Sequence, residues 1–262
     1  MNIIVTVKQV PDTNDVRLDP VTGTLIREGV PSIVNPEDRH AVEQALAMRD
    51  TLGSGKVTVI SMGPPQAEAA LREVLAMGAD EAILLSDRAF AGADTLATAS
   101  ALAGAIRKIG TYDLILCGRQ AIDGDTAQVG PQLAEFLGIS QVTYTTAVKV
   151  EGKTLRVERK SEGETHVLHV PLPALLTCIK ELNHPRIPTL KGCMAAYRER
   201  PFHVWNAANI GVPVEQLGLK GSPTQVRRTF NPEPKGAGMT IKADPASAVK
   251  QAVEILQSKG II

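Results

Sequence analysis

Leu114-Ile115-Leu116-Cys117-Gly118-Arg119-Gln120-Ala121-Ile122-Asp123-Gly124-Asp125-Thr126-Ala127-Gln128-Val129-Gly130-Pro131 is the stretch on which the reading of this chain turns. A short apolar run ends at Cys117, the chain passes through Gly118 and Gly124, and a helical pattern begins near Thr126 or Ala127. In an open α/β sheet, ligands bind where strands end and helices begin. Free N–H groups and the positive end of a helix suit a phosphate there, and small residues let backbone approach it closely. Asp125 or Thr126 is placed to cap the helix, which would make this a plain capped turn. The length of the loop and its small residues favour a ligand. Asp123 and Asp125 could work as an acid–base pair, although a capping role is the simpler one at a helix start.

Outward from this stretch the first half of the chain alternates between two periods. Apolar runs at 3–7, 57–61, 81–85 and 114–117 are bounded by turn formers and charges, as buried parallel strands are. Helical patterns lie between them at 36–51, 66–76, 94–109 and 127–137. In the first of these, Asn35 is the expected N-cap, Pro36 sits at the first helical position, and Glu37 and Asp38 load the first turn with negative charge. Strands alternating with helices predict an α/β fold with a Rossmann-like parallel sheet and helices on both faces. After the first strand, residues 16–27 read as a β-hairpin around Asp19-Pro20-Val21-Thr22-Gly23.

From Val142 the pattern changes to alternation. Segments 143–150 and 154–160 form an antiparallel hairpin addition, with further strands at 166–170 and 174–179. Beyond Lys180 a Pro-rich, irregular stretch carries Pro185, Pro188, Pro201, Pro213, Pro223, Pro232 and Pro234, and a last helix covers 245–258. The expected organisation is a compact nucleotide-binding domain over 1–190 and an extended C-terminal arm over 191–262, laid on a partner.

Three further loops should meet the 118–131 loop at one sheet edge: Lys8-Gln9-Val10-Pro11-Asp12-Thr13, Asn35-Pro36-Glu37-Asp38 and Ser61-Met62-Gly63-Pro64-Pro65. Together they describe a nucleotide crevice. Composition narrows its purpose. Lys+Arg and Asp+Glu are equal at 28 each and aromatics make up 3%, so neither a basic face nor stacking platforms point to nucleic acid. No apolar run reaches membrane-spanning length, and the opening Met1-Asn2-Ile3-Ile4-Val5 lacks the features of a signal peptide. Three cysteines without C-x-x-C spacing fit a reduced cytoplasm and no metal framework. The five histidines are scattered. Neither G-x-G-x-x-G after the first strand nor a P-loop is present, and hydrolase or metalloprotease motifs are missing too. A bound cofactor would have to supply the chemistry.

The order of these motifs resembles the β subunit of the electron-transfer flavoproteins. The resemblance rests on Lys8 to Thr13, Asn35-Pro36 with Ala41 and Glu43, Met77-Gly78-Ala79-Asp80, Gly118 to Pro131, Leu182-Asn183-His184-Pro185-Arg186 and Thr189-Leu190, and it covers the whole chain. It implies a heterodimer with an α subunit that carries FAD. It also implies nucleotide contacts at Thr6, Lys8, Asn35, Pro36, Glu37, Asp38, Met62, Asp123, Gly124, Asp125, Thr126, Ala127, Gln128, Val129, Gly130, Pro131 and Ala134. A docking loop would lie around 185–194, with Leu190 as apolar anchor beside Arg186, Thr189 and Lys191.

Val10-Pro11-Asp12-Thr13, Phe90 to Thr98 and Gly221 to Val226 are most similar to the electron-bifurcating type. That type implies FAD in the β crevice, with Asp94, Thr95 and Thr98 contacting it, NADH as electron donor, and ferredoxin or flavodoxin and a flavin dehydrogenase, of acyl-CoA type for example, as acceptors. Asp94 as a simple helix cap is the plainer reading of the same residues. Two other functions stay open: a simple carrier with AMP in the crevice, and an ATP-binding enzyme or sensor of similar topology. Cys193-Met194-Ala195-Ala196 departs from the more basic residues often found there.

Overall fold

The computed structural model describes residues 1–12, 31–227, 236 and 238–262; the hairpin expected at 16–27, and Thr13, Pro232 and Pro234, lie outside them. In chain order the strands are β1 (Asn2–Thr6), β2 (Gln9–Pro11), β3 (Ser32–Val34), β4 (Lys56–Met62), β5 (Glu81–Leu85), β6 (Leu114–Gly118), β7 (Ser140–Glu151), β8 (Thr154–Ser161), β9 (Glu164–Pro171), β10 (Ala174–Cys178) and β11 (Phe202–Trp205). The α-helices are α1 (Pro36–Leu52), α2 (Glu68–Met77), α3 (Thr95–Ile109), α4 (Val129–Leu137), α5 (Leu190–Arg198) and α6 (Pro245–Ser258). A sheet with strand order β11-β5-β4-β1-β6-β10-β7-β8-β9 forms the backbone of the fold. Strands β11 to β7 in that order are parallel neighbours, whereas β7, β8 and β9 pair antiparallel.

The two-sided burial expected of parallel strands is present. Ile3 and Val5 face the α1–α2 side with Ala41, Val42, Leu46 and Leu71. Ile4 faces the α3–α4 side with Ala99, Ala103, Ile106 and Leu133. Each buried Val, Leu or Ile among them contributes about 1.5–3 kcal/mol relative to exposure. The sequence did not place β10. All five of its residues are buried, so it needs a strand on each side and a layer on each face. It meets both needs by lying between β6 and β7, parallel to both, rather than at the edge of the hairpin.

That insertion completes the order β5-β4-β1-β6-β10, in which the direction of winding reverses between β1 and β6. The reversal opens a crevice outside the carboxyl ends of β1 and β6, where Thr6 is in register with Cys117. The chain after β1 makes a small antiparallel pair, β2 with β3, before returning to the same edge and starting α1.

By contact pattern the chain divides into two compact units, Met1–Arg227 and Arg228–Ile262. Residues 191–227, expected in the arm, contain α5, which contacts α2, and β11, which extends the sheet beside β5. The segment read as irregular beyond Lys180 therefore holds a helix and a strand. In the second unit α6 starts at an Asp244 side chain that accepts the N–H groups of Ala246 and Ser247. Among the described residues no helix is long and apolar enough to cross a membrane.

Candidate functional site

The crevice is framed by side chains of α1 that reach both flanking loops. The Asp38 carboxylate is buried and accepts the Lys8 N–H at 2.7 Å through Oδ2 and the Gly118 N–H at 3.0 Å through Oδ1. It thus ties the end of β1 to the end of β6. Burial pushes its carboxyl up to about 7, against the two N–H groups and Lys8, which favour the charged form. Gly118 is required here because a Cβ would fall 2.3 Å from Asp38 Oδ1 and 2.8 Å from its nitrogen.

Asn35 occupies the N-cap position of α1 but makes no side-chain capping bond, contrary to expectation. Its amide instead donates to the Gln120 carbonyl at 2.9 Å and accepts the Ile122 N–H at 3.1 Å. Glu37 accepts the Gln120 N–H at 3.0 Å and pairs with Arg119 at 3.1 Å. Burial raises its carboxyl above the ordinary range even so. Lys8 and Asp123 close the same rim with a 2.7 Å ion pair. Gln120 also hydrogen-bonds Asp125.

The helix after this loop starts later than the sequence suggests. Neither Asp125 nor Thr126 caps it: the helix opens at Val129, with Gln128 at the N-cap position and no side-chain cap bond. Asp125 and Ala127 instead take positive φ values of 50° and 53°, which turn the loop before the helix. Gly130 lets α4 approach the sheet, because a Cβ would meet Thr177 at 2.8 Å and Cys117 at 2.9 Å. Ala134 is buried in the α3–α4 core layer, away from the loop. Burial drives the Cys117 and Cys178 thiols far up, so both are packing residues.

On the β4–β5 side of the crevice, Met62 follows Ser61, whose buried hydroxyl has no partner among the described residues. Thr95 donates to Gln128 at 3.2 Å and joins the starts of α3 and α4. Asp94 spends both oxygens within the chain: Oδ1 accepts the Ala97 N–H as helix cap and Oδ2 accepts the Thr224 N–H, each at 3.0 Å. Those bonds outweigh burial and hold its carboxyl below the ordinary carboxylate range. Ser222 receives the Asp94 N–H at 2.8 Å, so the 217–224 segment is stitched over the start of α3. The sequence contained both partners, but a separation of 128 residues between Asp94 and Ser222 is not readable from spacing.

The open backbone at Gly124, an α4 start without a side-chain cap and the orphaned Ser61 hydroxyl offer donors and room for a phosphate group at one sheet edge. Among the described residues no group of His, Cys, Asp and Glu is arranged to hold a metal ion.

The expected docking residues lie elsewhere, divided between α1 and α5. Arg186 is held to α1 by Glu43, with bonds of 2.8 and 3.0 Å, and by Asp50 at 3.0 Å. Asn183 brackets His40 on the same helix. Thr189 caps α5 through the Gly192 N–H at 3.0 Å. Leu190 is 81% exposed and Ile187 86%, and Lys191 is exposed beside them. Met194 and Tyr197, also exposed, continue the Leu190 stripe along α5; their spacing of four and then three residues is a signal that sequence reasoning overlooked.

A family model for the electron transfer flavoprotein domain matches residues 22–208. The chain is 58% identical to the electron transfer flavoprotein subunit beta of Thermoanaerobacterium thermosaccharolyticum, over all of both chains. It is 54% identical to the caffeyl-CoA reductase-Etf complex subunit CarD of Acetobacterium woodii, again over all of both. Protein FixA of Bradyrhizobium diazoefficiens is 47% identical over 99% of this chain and 93% of its own length.

Proposed function

The chain belongs to the electron transfer flavoprotein family, among its β subunits, and from that premise we propose that it holds FAD in the crevice between β1 and β6 as half of a heterodimer with an α subunit. The observation that carries this reading is the convergence on the switch point of three loops, after β1, before α1 and after β6, bound together through Asp38, Asn35 and Glu37. FAD bound there would take a hydride from NADH and release its two electrons separately, one to ferredoxin or flavodoxin and one through the α-subunit FAD to a flavin dehydrogenase. An acyl-CoA dehydrogenase fits the last role, because one relative carries caffeyl-CoA reductase in its name.

The protein's own work is to bind and orient. The 123–131 loop and the start of α4 present N–H groups to the phosphates. Thr6, Ser61 and Met62 line the strand ends beneath them. Asp38 and Asn35 act behind this surface by holding the rims in place rather than by touching the ligand. Thr95 and Thr98 at the start of α3 are the polar groups placed for the flavin side of the cofactor. The exposed stripe Leu190, Met194 and Tyr197 would meet the dehydrogenase, and the 228–262 unit would pack on the α subunit. The complex would work in the cytoplasm.

A specific observation favours a second reading, in which the crevice holds AMP and the chain serves a one-flavin carrier. Both Asp94 oxygens are already engaged, which removes one expected flavin contact. Co-expression with the α subunit, followed by denaturation and quantification of released nucleotides, separates the two. About two FAD and little AMP per heterodimer supports the first reading; about one FAD and one AMP overturns it.

A further inference from the structure

A second cleft, of about 610 Å³, opens at the carboxyl ends of β6 and β10 and the hairpin beyond them. Arg119, Tyr144, Arg159, Lys160, Lys180 and Glu181 line it. Its charges do not cancel. Arg119 is paired with Glu37 at 3.1 Å and Lys160 with Glu181 at 3.4 Å. Glu162 sits at the turn on the rim. Arg159 and Lys180 have no carboxylate within ion-pair distance among the described residues.

Two features suggest that the cleft is shaped for an acceptor. First, the Nε atoms of Arg119 and Arg159 are both buried and without a protein partner. A buried guanidinium N–H that donates to nothing destabilises the fold, and an oxyanion that accepted from it would offset that cost. Second, Tyr144 holds φ at 58°, a left-handed backbone that a bulky residue keeps only where its surroundings impose it. The distortion is fixed by the Tyr144 N–H, which donates to Thr177 Oγ1 at 3.0 Å. It coincides with the shift of register between β7 and β10 and leaves the tyrosine ring 5.7 Å from the Arg119 guanidinium. Tyr144 thus stacks near one guanidinium in a cleft that a second, Arg159, also lines, and guanidinium groups recognise oxyanions in planar, bidentate fashion.

We propose that this cleft is an anion site that takes a phosphate or pyrophosphate group, with Arg159 as the principal ligand and Lys180 and Arg119 in support. It is a separate site from the nucleotide crevice, with which it shares only the Glu37–Arg119 wall, and it does not depend on whether FAD or AMP occupies that crevice. Guanidinium forks match the tetrahedral oxygens of phosphate, and the lysines add charge without fixed geometry.

The test uses the intact heterodimer with excess AMP present, titrated with inorganic pyrophosphate and followed by calorimetry. Saturable binding is expected, weakened at least about tenfold by Arg159→Gln and measurably by Lys180→Gln. Lys153→Gln, at the turn between β7 and β8, should leave it unchanged. Lys180 is exposed, so its variant stays informative if Arg159→Gln does not fold. Citrate at matched ionic strength serves as a carboxylate probe. Binding that does not saturate, that is equal in all variants, or that citrate reproduces at the same affinity overturns the proposal.

Discussion

At the residue scale, Asp38 shows how a side chain in a ligand-site motif can also tie two loops together. Its type and place in the first turn of α1 are legible in the sequence. Its bonds to the Lys8 and Gly118 N–H groups, 30 and 80 residues away, are not. Asp38→Asn would turn an amide NH2 toward one of those two donors. The expected loss is about 1–3 kcal/mol of stability, together with weaker nucleotide retention, measured by urea unfolding. The same carboxyl sets a pH dependence. Its value is 3.8 when unfolded and about 7 when folded, so between those values the folded chain retains a proton that the unfolded chain releases. Stability contributed by this group therefore falls as pH rises from about 4 to 7, by up to ~1.4 kcal/mol per unit. Unfolding curves between pH 5 and 8 should show this slope in the native chain and lose it in the asparagine variant.

At the element scale, α1 and α5 divide the work of the docking loop. The family resemblance grouped Arg186 with Leu190 in one docking loop around 185–194. The structure separates them: Arg186 grips Glu43 and Asp50 on α1, whereas Leu190 projects from the start of α5 into solvent. Arg186→Ala should cost about 1–3 kcal/mol, because Glu43 is left buried and unpaired. Leu190→Ala should change stability by less than about 0.5 kcal/mol yet weaken dehydrogenase-dependent electron transfer by at least about tenfold. Thermal unfolding and steady-state assays with a partner dehydrogenase distinguish the two. Equal stability losses would refute the division. The late start of α4 is another element-scale result. Capping residues were visible at Asp125 and Thr126, but the turn takes both Asp125 and Ala127 through left-handed backbone before the helix can begin.

At the scale of the molecule, α6 buries none of its residues, and a helix of 14 residues is marginal alone in water. Removing residues 228–262 should leave the thermal midpoint of the Met1–Arg227 unit nearly unchanged and weaken association with the α subunit by at least about tenfold, as read by calorimetric unfolding and by sedimentation. A large fall in the midpoint would show that the second unit stabilises the first. What the sequence determined by itself was local: the alternation of strands and helices, the hairpin from β7 to β8, the Asp94 and Pro245 helix starts and the loops that gather at one edge. Each follows from periodicity and from capping or turn chemistry within a few residues. Only the tertiary structure decided that β10 enters the sheet between β6 and β7, that β11 extends it at the other end, that Asp38 joins two rims and that Ser222 is clipped to Asp94. Those choices satisfy buried strands and buried polar groups with partners far along the chain, and no spacing in the sequence records which partner folding will supply.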